Sequence, residues 1–137
     1  MIAFFIASAD QATKFIIEAL VPQNTYIILT SFLRISHIKN TGSAFGILQN
    51  TNALFAALTL LVIIGIIYFF DRIPEKKLAL TGYSLILGGA IGNLADRIFL
   101  GGVIDFIDFK FWPAFNIADS ALTLGIILLL FYYYGKK

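Results

Sequence analysis

The sequence predicts an all-α membrane protein that folds as one bundle of four transmembrane helices. Of its 137 residues, 59% are hydrophobic and 13% are charged, and the mean hydropathy is +0.88. Soluble domains usually carry about 25% charged residues, so this composition is typical of a chain embedded in lipid. Because a membrane-spanning helix needs about 20 mostly apolar residues, four stretches can cross a bilayer: residues 2–20, 53–70, 78–95 and 117–134.

The four predicted spans differ in composition. Residues 53–70 are almost entirely apolar, whereas residues 2–20 contain Asp10, Lys14 and Glu18. The third span is rich in glycine, which favours close helix packing, and the fourth ends in three tyrosines of the kind found at membrane interfaces. No basic segment precedes the first span, so we expect it to be retained as a helix and not removed as a signal peptide.

The basic residues predict an orientation. Three of them lie in the 71–77 connection, and Lys136 and Lys137 end the chain. By the positive-inside rule, both regions face the cytoplasm, so both termini are cytoplasmic. The connections 21–52 and 96–116 are then outer loops of a single transmembrane domain covering residues 1–137.

The first outer loop contains two β-prone runs, residues 26–29 and 32–35, and a turn signal at residues 40–42. We therefore expect a small β-rich cradle on the extracytoplasmic side, between helices 1 and 2. An interfacial loop whose aromatic residues rest at the lipid headgroups is the open alternative.

Several kinds of chemistry are excluded by composition. The chain has no cysteine and a single histidine, His37, so it offers neither a thiolate nucleophile nor a Cys- or His-rich metal site. A metal held by such ligands is therefore not expected. The net charge is only +2 and the basic residues are dispersed at segment ends, so nucleic acid is not an expected partner.

Charged residues at membrane depth are costly and are usually functional or paired. Asp10 and Lys14 are four residues apart in the first span, so they can pair on one helix face and hold that helix in the bundle. Direct contact with a substrate is the alternative role for these two residues.

Two segments with the pattern Asn-x-Ala-Asp, residues 93–96 and 116–119, lie at the end of the third span and the start of the fourth. Both should therefore meet near the outer membrane surface. A simpler interpretation of Asn116 is an N-cap, with Asp119 in the first helical turn.

Asp105 lies in an apolar run that follows a glycine turn, and we expect it to face the bundle as the neighbour of Asp119. Asp108 is expected to be a surface charge. Two adjacent carboxyl groups share a proton, so that one activates a water and the other protonates a carbonyl, as in aspartic peptidases. The residues alone leave open a small transporter or proton-relay protein, and also an assembly factor that uses the glycine-rich third helix.

Serine chemistry has little support. Ser43 and Ser120 have no obvious histidine partner other than His37, and Lys14 is the only candidate lysine base.

The motifs resemble those of the type II, or prolipoprotein, signal peptidases of bacteria. The resemblance extends from the first predicted helix to the last and is carried by five blocks in that family's order: residues 10–14 (DQATK), 40–46 (NTGSAFG), 88–97 (GGAIGNLADR), 103–106 (VIDF) and 115–120 (FNIADS). The resemblance implies an intramembrane aspartic endopeptidase with Asp105 and Asp119 as its catalytic dyad.

The same resemblance implies supporting roles for polar residues around the dyad. Asp96 would support it, and Asn40 would border the site from the outer loop. The residues that would position the dyad or the substrate backbone are Asn93, Arg97 and Asn116. Asp10 and Lys14 would be structural or would orient the substrate.

The implied substrate is a diacylglyceryl-modified prolipoprotein, cut just before its lipidated cysteine. No metal or organic cofactor is expected for this reaction. Membrane lipids and globomycin-like inhibitors are the other expected partners. The implied location is the bacterial cytoplasmic (inner) membrane, which the chain would cross several times with the active site toward the outer face.

Overall fold

A computed structural model describes residues 1–42 and 50–135 of the chain. Within those ranges it contains four α-helices, three β-strands and one short 3₁₀ turn at Phe70–Arg72. The helices and strands in chain order are α1 (Ile2–Leu20), β1 (Tyr26–Ile28), β2 (Arg34–Asn40), α2 (Asn52–Tyr68), α3 (Lys77–Phe99), β3 (Val103–Asp108) and α4 (Ile117–Tyr134). Ser43, part of the 40–46 block, and the terminal Lys136 and Lys137 lie outside the described residues.

The helix predictions agree closely with the structure, with one correction. Helices α1 and α4 coincide with the predicted spans, but α3 continues to Phe99, beyond the predicted end at residue 95. Asp96 and Arg97, which were expected in the outer loop, therefore lie near the end of a helix. The helix ends where Leu100 N–H donates to the Asp96 carbonyl at 2.8 Å, and the positive φ of Gly101 (72°) lets the chain turn.

Helix α3 packs against all three other helices, and glycines on its surface let α1 and α4 approach closely. A Cβ atom on Gly89 would lie 2.5 Å from the carbonyl oxygen of Ala118 on α4. A Cβ on Gly88 would lie 2.6 Å from the carbonyl oxygen of Ala3 on α1. These contacts hold the amino-terminal ends of α1 and α4 against the middle of α3.

Large apolar side chains cover the outside of the bundle; examples are Phe4, Phe15, Leu61, Ile67 and Phe131. Of the helices in the described residues, α3 and α4 are long and apolar enough to cross a membrane. Helix α2 is equally apolar but has 17 residues, and α1 contains three charged side chains.

The three strands form one antiparallel sheet in the order β1-β2-β3. The predicted cradle was placed between helices 1 and 2 alone, and this was incomplete: β3, which connects α3 to α4, supplies the third strand. Strand β2 also begins at Arg34, later than the predicted run at residues 32–35. Because Ile38 pairs with Asp105, and Asn40 with Val103, the sheet places Asn40 beside the strand that carries Asp105.

Asp108 was expected to be a surface charge, and this was wrong. It is 5% exposed and accepts hydrogen bonds from Arg34 Nη2 at 2.6 Å, Ser36 Oγ at 2.7 Å and the N–H of Lys110 at 2.8 Å. Burial alone would raise the pKa of Asp108, but these hydrogen bonds and the charge of Arg34 together lower it. Asp108 is thus an ionised anchor between β2 and β3.

Candidate active site

Asn116 caps the amino end of α4, which confirms its interpretation as an N-cap. Its Oδ1 accepts the backbone N–H of Asp119 at 2.8 Å, and Ser120 Oγ donates to its carbonyl oxygen at 2.9 Å. Because the helix uses the amide oxygen, the amide nitrogen points the other way and donates to Asp105 Oδ1 at 2.8 Å. One buried side chain therefore both starts α4 and holds Asp105.

Asp105, on β3, is 3% exposed and accepts a hydrogen bond at each carboxyl oxygen. Asn116 donates to Oδ1, and Asn40 Nδ2 donates to Oδ2 at 3.0 Å. The amide of Asn40 is itself oriented, because its Oδ1 accepts the N–H of Gly42 at 3.0 Å. Burial, and then the negative charge of Asp119, raise the pKa of Asp105 to about 7 in spite of the two asparagine donors. This carboxyl group can therefore exchange a proton near neutral pH.

Asp119, in the first turn of α4, is held by Asn93 of α3. Asn93 Nδ2 donates to Asp119 Oδ1 at 2.7 Å, and Asn93 Oδ1 accepts from Asn116 Nδ2 at 3.2 Å. The two asparagines thus form a continuous bridge between Asp119 and Asp105. The prediction that the two Asn-x-Ala-Asp segments meet in space is confirmed.

Both aspartates line one cavity of about 700 Å³. Its polar lining includes Asn40, Asn93 and Arg97, and apolar side chains from α2, β3, α4 and the connection before α4 form much of the remainder: Phe55, Val103, Trp112, Phe115, Leu124 and Ile127. A cavity that is mostly apolar with a few converging polar groups is the usual form of a small-molecule or peptide site.

A buried ion cluster lies behind the asparagine bridge. Lys14 Nζ is 2.7 Å from Asp10 Oδ2 and 2.8 Å from Asp96 Oδ2, and all three side chains are at most 2% exposed. The predicted pairing of Asp10 with Lys14 is confirmed. Burial leaves neither residue a surface with which to contact a substrate, so the substrate-contact alternative does not fit the structure.

The cluster also connects four elements of the fold. Asp10 Oδ1 accepts the N–H of Ala118 on α4 at 2.9 Å, and Asp96 Oδ2 accepts the N–H of Ile104 on β3 at 3.1 Å. Asp96 Oδ1 accepts from Gln11 Nε2 at 2.7 Å. The cluster therefore fixes the backbones on both sides of the aspartate pair.

Arg97 extends from the end of α3 to the same cavity. Its guanidinium lies 5.4 Å from the ring centre of Phe55, and its Nε and Nη1 are buried without a hydrogen-bond partner in the described part of the chain. The carbonyl of Arg97 accepts from Asn52 Nδ2 at 2.9 Å, which ties α2 to this end of α3. Unpaired buried donors at a cavity are available to a ligand that brings acceptors.

The predicted site residues thus divide into two groups. The residues that line the cavity are Asp105, Asp119, Asn40, Asn93 and Arg97, and those that hold them from behind are Asp10, Lys14, Asp96 and Asn116.

Gln11 was not predicted as a site residue, although it donates to the Gly92 carbonyl at 3.1 Å as well as to Asp96. Its position as a polar residue inside a predicted span was the available signal. Across residues 1–42 and 50–135, no cluster of His, Cys, Asp and Glu is arranged to hold a metal ion.

Comparison with known proteins gives one consistent family. The family model described as signal peptidase (SPase) II matches residues 2–134. The chain is 44% identical over 131 residues to a lipoprotein signal peptidase of Caldanaerobacter subterraneus subsp. tengcongensis, covering 94% of this chain and 90% of that protein. It is 42% identical over 135 residues to the lipoprotein signal peptidase of Bacillus pumilus, covering 94% and 87% of the two chains.

Two solved structures, each described as a bacterial membrane enzyme, have the same fold. The first superposes with a TM-score of 0.90 at 36% identity and covers 99% of this chain and 89% of the other. The second superposes with a TM-score of 0.88 at 35% identity and covers 99% and 92%.

Proposed function

This chain belongs to the signal peptidase II family, and from that premise we propose that Asp105 and Asp119 are its catalytic pair. Members of the family are aspartic peptidases, so the chain is an endopeptidase that cleaves the signal peptides of prolipoproteins. The observation that carries the assignment is the bridge of Asn93 and Asn116, which joins the two carboxyl groups at the wall of one cavity.

The pair hydrolyses a peptide bond with water as the nucleophile. With one proton between the two carboxyl groups, the carboxylate removes a proton from a water whose oxygen attacks the scissile carbonyl carbon. The carboxylic acid gives its proton to the carbonyl oxygen. When the tetrahedral intermediate collapses, the carbon–nitrogen bond breaks, the amine nitrogen takes the proton removed from water, and the intermediate's hydroxyl returns a proton to the other carboxylate.

The surrounding polar residues have separate roles in this proposal. Asn40, Asn93 and Asn116 hold the carboxyl oxygens in place, and Asp96 holds the backbone of β3 through Ile104. Arg97 binds a backbone carbonyl of the substrate through Nε–H and Nη1–H, which have no partner among residues 1–42 and 50–135. The guanidinium of Arg97 lines the cavity at a place where an extended peptide would cross it.

The apolar wall suits a lipid-modified substrate. Asp119, Thr123 and Ile127 line one face of α4, so the cavity follows that helix for about 12 Å away from the catalytic pair. Acyl chains of a diacylglyceryl-modified cysteine lie along this wall, and cleavage occurs just before that cysteine. Globomycin-like inhibitors occupy the same space, and membrane lipids surround the apolar surface of the helices.

All four helices cross the membrane in this proposal, as a single transmembrane peptidase domain in the bacterial cytoplasmic membrane. The basic residues between α2 and α3 face the cytoplasm with both termini, and the sheet and the catalytic pair face outward.

The chain contains no native cysteine, so Asp71→Cys and Phe111→Cys each provide a single labelling site at opposite ends of the bundle. In intact cells, a membrane-impermeant maleimide should label the Phe111→Cys variant and not the Asp71→Cys variant; the reverse pattern would overturn the orientation.

The catalytic assignment is tested with purified protein and a synthetic diacylated prolipoprotein peptide, using product mass as the readout. Asp105→Asn and Asp119→Asn should each abolish cleavage while thermal unfolding in detergent remains cooperative. Asp108→Asn is the matched control, because Asp108 is on the same strand and its hydrogen bonds are to Arg34, Ser36 and Lys110, outside the cavity. Full activity in either dyad variant would refute the proposal.

A further inference from the structure

The ammonium of Lys14 is fully engaged beneath the catalytic pair. Its Nζ donates to Asn93 Oδ1 at 3.0 Å and lies at ion-pair distance from the carboxylate oxygens of Asp10 (2.7 Å) and Asp96 (2.8 Å), so three oxygens surround it. The side chain is 2% exposed, and its nearest oxygens come from α1 and α3. Its position is therefore determined by the fold and not by solvent.

This contact decides which way the amide of Asn93 points. An ammonium can only donate, so the side of the amide that faces Lys14 must be its oxygen. The same oxygen also accepts from Asn116 Nδ2 at 3.2 Å. The amide nitrogen is consequently turned toward Asp119, where it donates at 2.7 Å.

We propose that Lys14 is a positioning residue for peptide hydrolysis: its ammonium locks the Asn93 amide as a donor to Asp119 and so keeps the catalytic pair at a single shared proton. This proposal rests on the proposed role of Asp105 and Asp119. Without the ammonium, the Asn93 amide is free to turn its oxygen toward Asp119. An oxygen can face that carboxyl group only if a proton lies between them, so Asp119 then holds a proton toward Asn93 that it no longer shares with Asp105.

Charged groups from four elements face this network, and the ammonium is the cation nearest to its centre. They are Asp10 and Lys14 from α1, Asp96 and Arg97 from α3, Asp105 from β3 and Asp119 from α4. The charge of Lys14 is one of the influences that lower the pKa of Asp105, so removing this cation favours protonation of Asp105. The pH optimum of cleavage should therefore move to higher pH when Lys14 is lost.

A purely structural role of Lys14 predicts a different result for a variant in which the charge of the cluster is kept. In that case Lys14 serves only to neutralise Asp10 and Asp96 and to hold α1 against α3 and α4. The double variant Lys14→Met with Asp10→Asn separates the two roles, because it removes one positive and one negative charge and leaves the net charge of the cluster unchanged. An amide oxygen at position 10 can still accept the N–H of Ala118.

The experiment compares the wild type, Lys14→Met and the double variant in thermal unfolding and in the pH profiles of kcat and KM with the diacylated peptide. We expect the thermal unfolding temperature of the double variant to lie closer to that of the wild type than the unfolding temperature of Lys14→Met does. Its kcat should remain about 10- to 100-fold low, as is usual when a group that orients a functional side chain is removed. Its pH optimum should lie about one unit higher, with KM nearly unchanged. A double-variant pH profile that superimposes on the wild type would overturn the proposal.

Asn93→Leu provides a second test that leaves the ion cluster in place. It should produce the same shift of the pH optimum as the loss of Lys14, and an unshifted profile would also overturn the proposal. The catalytic role of the aspartates and the positioning role of Lys14 are tested separately. If Asp105→Asn and Asp119→Asn are inactive but these profiles do not shift, only the role of Lys14 is wrong. If either aspartate variant is active, the catalytic assignment itself is wrong.

Discussion

Asn93 and Asn116 are hydrogen-bonded to each other, with Nδ2 of Asn116 3.2 Å from Oδ1 of Asn93. Each is the first residue of an Asn-x-Ala-Asp segment, and each donates to one of the two cavity aspartates. Both amides are oriented by a further partner, Lys14 in one case and the backbone of α4 in the other. The geometry of the aspartate pair therefore depends on the packing of α3 against α4.

Substitutions of Asn116 should separate its capping role from its contact with Asp105. Serine is a good N-cap but cannot reach Asp105 with an amide, so Asn116→Ser should keep α4 capped yet lose activity, together with the stability that the buried amide donor contributes. Loss of a hydrogen bond to a charged group costs about 1.5–3 kcal/mol, so kcat should fall about 10- to 100-fold. Asn116→Ala should lose about 1 kcal/mol more stability by removing the cap. Wild-type kcat in Asn116→Ser, measured with the diacylated peptide, would contradict this role.

Activity should decrease on the alkaline side of neutrality. Burial and the charge of Asp119 raise the pKa of Asp105 to about 7, so the proton shared by the pair is lost as pH rises through that value. Without it, no acid protonates the scissile carbonyl, and kcat/KM should fall about tenfold per pH unit above it. The same alkaline limb should persist in Asp108→Asn, because the pKa of Asp108 is lowered and this group is ionised throughout that range. A flat profile across neutral pH would contradict the prediction.

The same carboxyl group makes folding stability depend on pH. Its pKa is raised above the ordinary value of 3.8, so between about pH 4 and about pH 7 the folded chain retains a proton that the unfolded chain has released. The free energy of unfolding should therefore fall as pH rises through this window and should change no further above it on account of this group. Thermal unfolding of Asp105→Asn should show a smaller decrease over the same window. An identical decrease in the wild type and the variant would contradict the raised pKa.

Close packing of α3 against α4 is predicted to be essential, and two glycines provide a matched test. A Cβ at Gly89 would lie 2.5 Å from the Ala118 carbonyl oxygen, a backbone atom next to Asp119. Gly89→Ala should push the helices apart, cost about 1–3 kcal/mol of stability and reduce cleavage strongly. A Cβ added at Gly65 on α2 would have nothing within 4 Å. Gly65→Ala should therefore have nearly the same unfolding temperature and cleavage rate as the wild type. Equal behaviour of the two variants would show that the close approach at Gly89 is unimportant.

The sequence predicted the helices and the meeting of the two Asn-x-Ala-Asp segments because both depend on local signals, whereas the assignment of Asp105 and Asp119 came from the family resemblance and stays a prediction. Apolar runs set the limits of α1 and α4, and the repeated Asn-x-Ala-Asp pattern brought Asn93 and Asn116 together. The third strand was not predicted, because pairing of β2 with β3 joins residues such as Asn40 and Val103 that are distant in the chain.

The error on Asp108 has the same origin as the missing strand. Its partners Arg34 and Ser36 are on β2, and nothing near Asp108 in the sequence indicates that it is buried and paired. Gln11 was overlooked because its partner, Asp96, is 85 residues away. Pairings of this kind depend on register between distant segments, which hydrophobic periodicity does not specify.

Arg97 should act on substrate binding and not on folding. Its Nε and Nη1 are buried without a partner in the described part of the chain, so replacing the side chain removes a desolvation cost and breaks no hydrogen bond between these two atoms and the described residues. Arg97→Met should therefore unfold at or above the wild-type temperature, while kcat/KM for the diacylated peptide falls about 10- to 100-fold through the loss of charge-assisted bonds. Arg34→Met is the control, because Arg34 pairs with Asp108 in the sheet and its loss should lower stability first. If Arg97→Met unfolds much earlier than Arg34→Met and retains kcat/KM in its folded fraction, Arg97 stabilises the end of α3 and does not bind substrate.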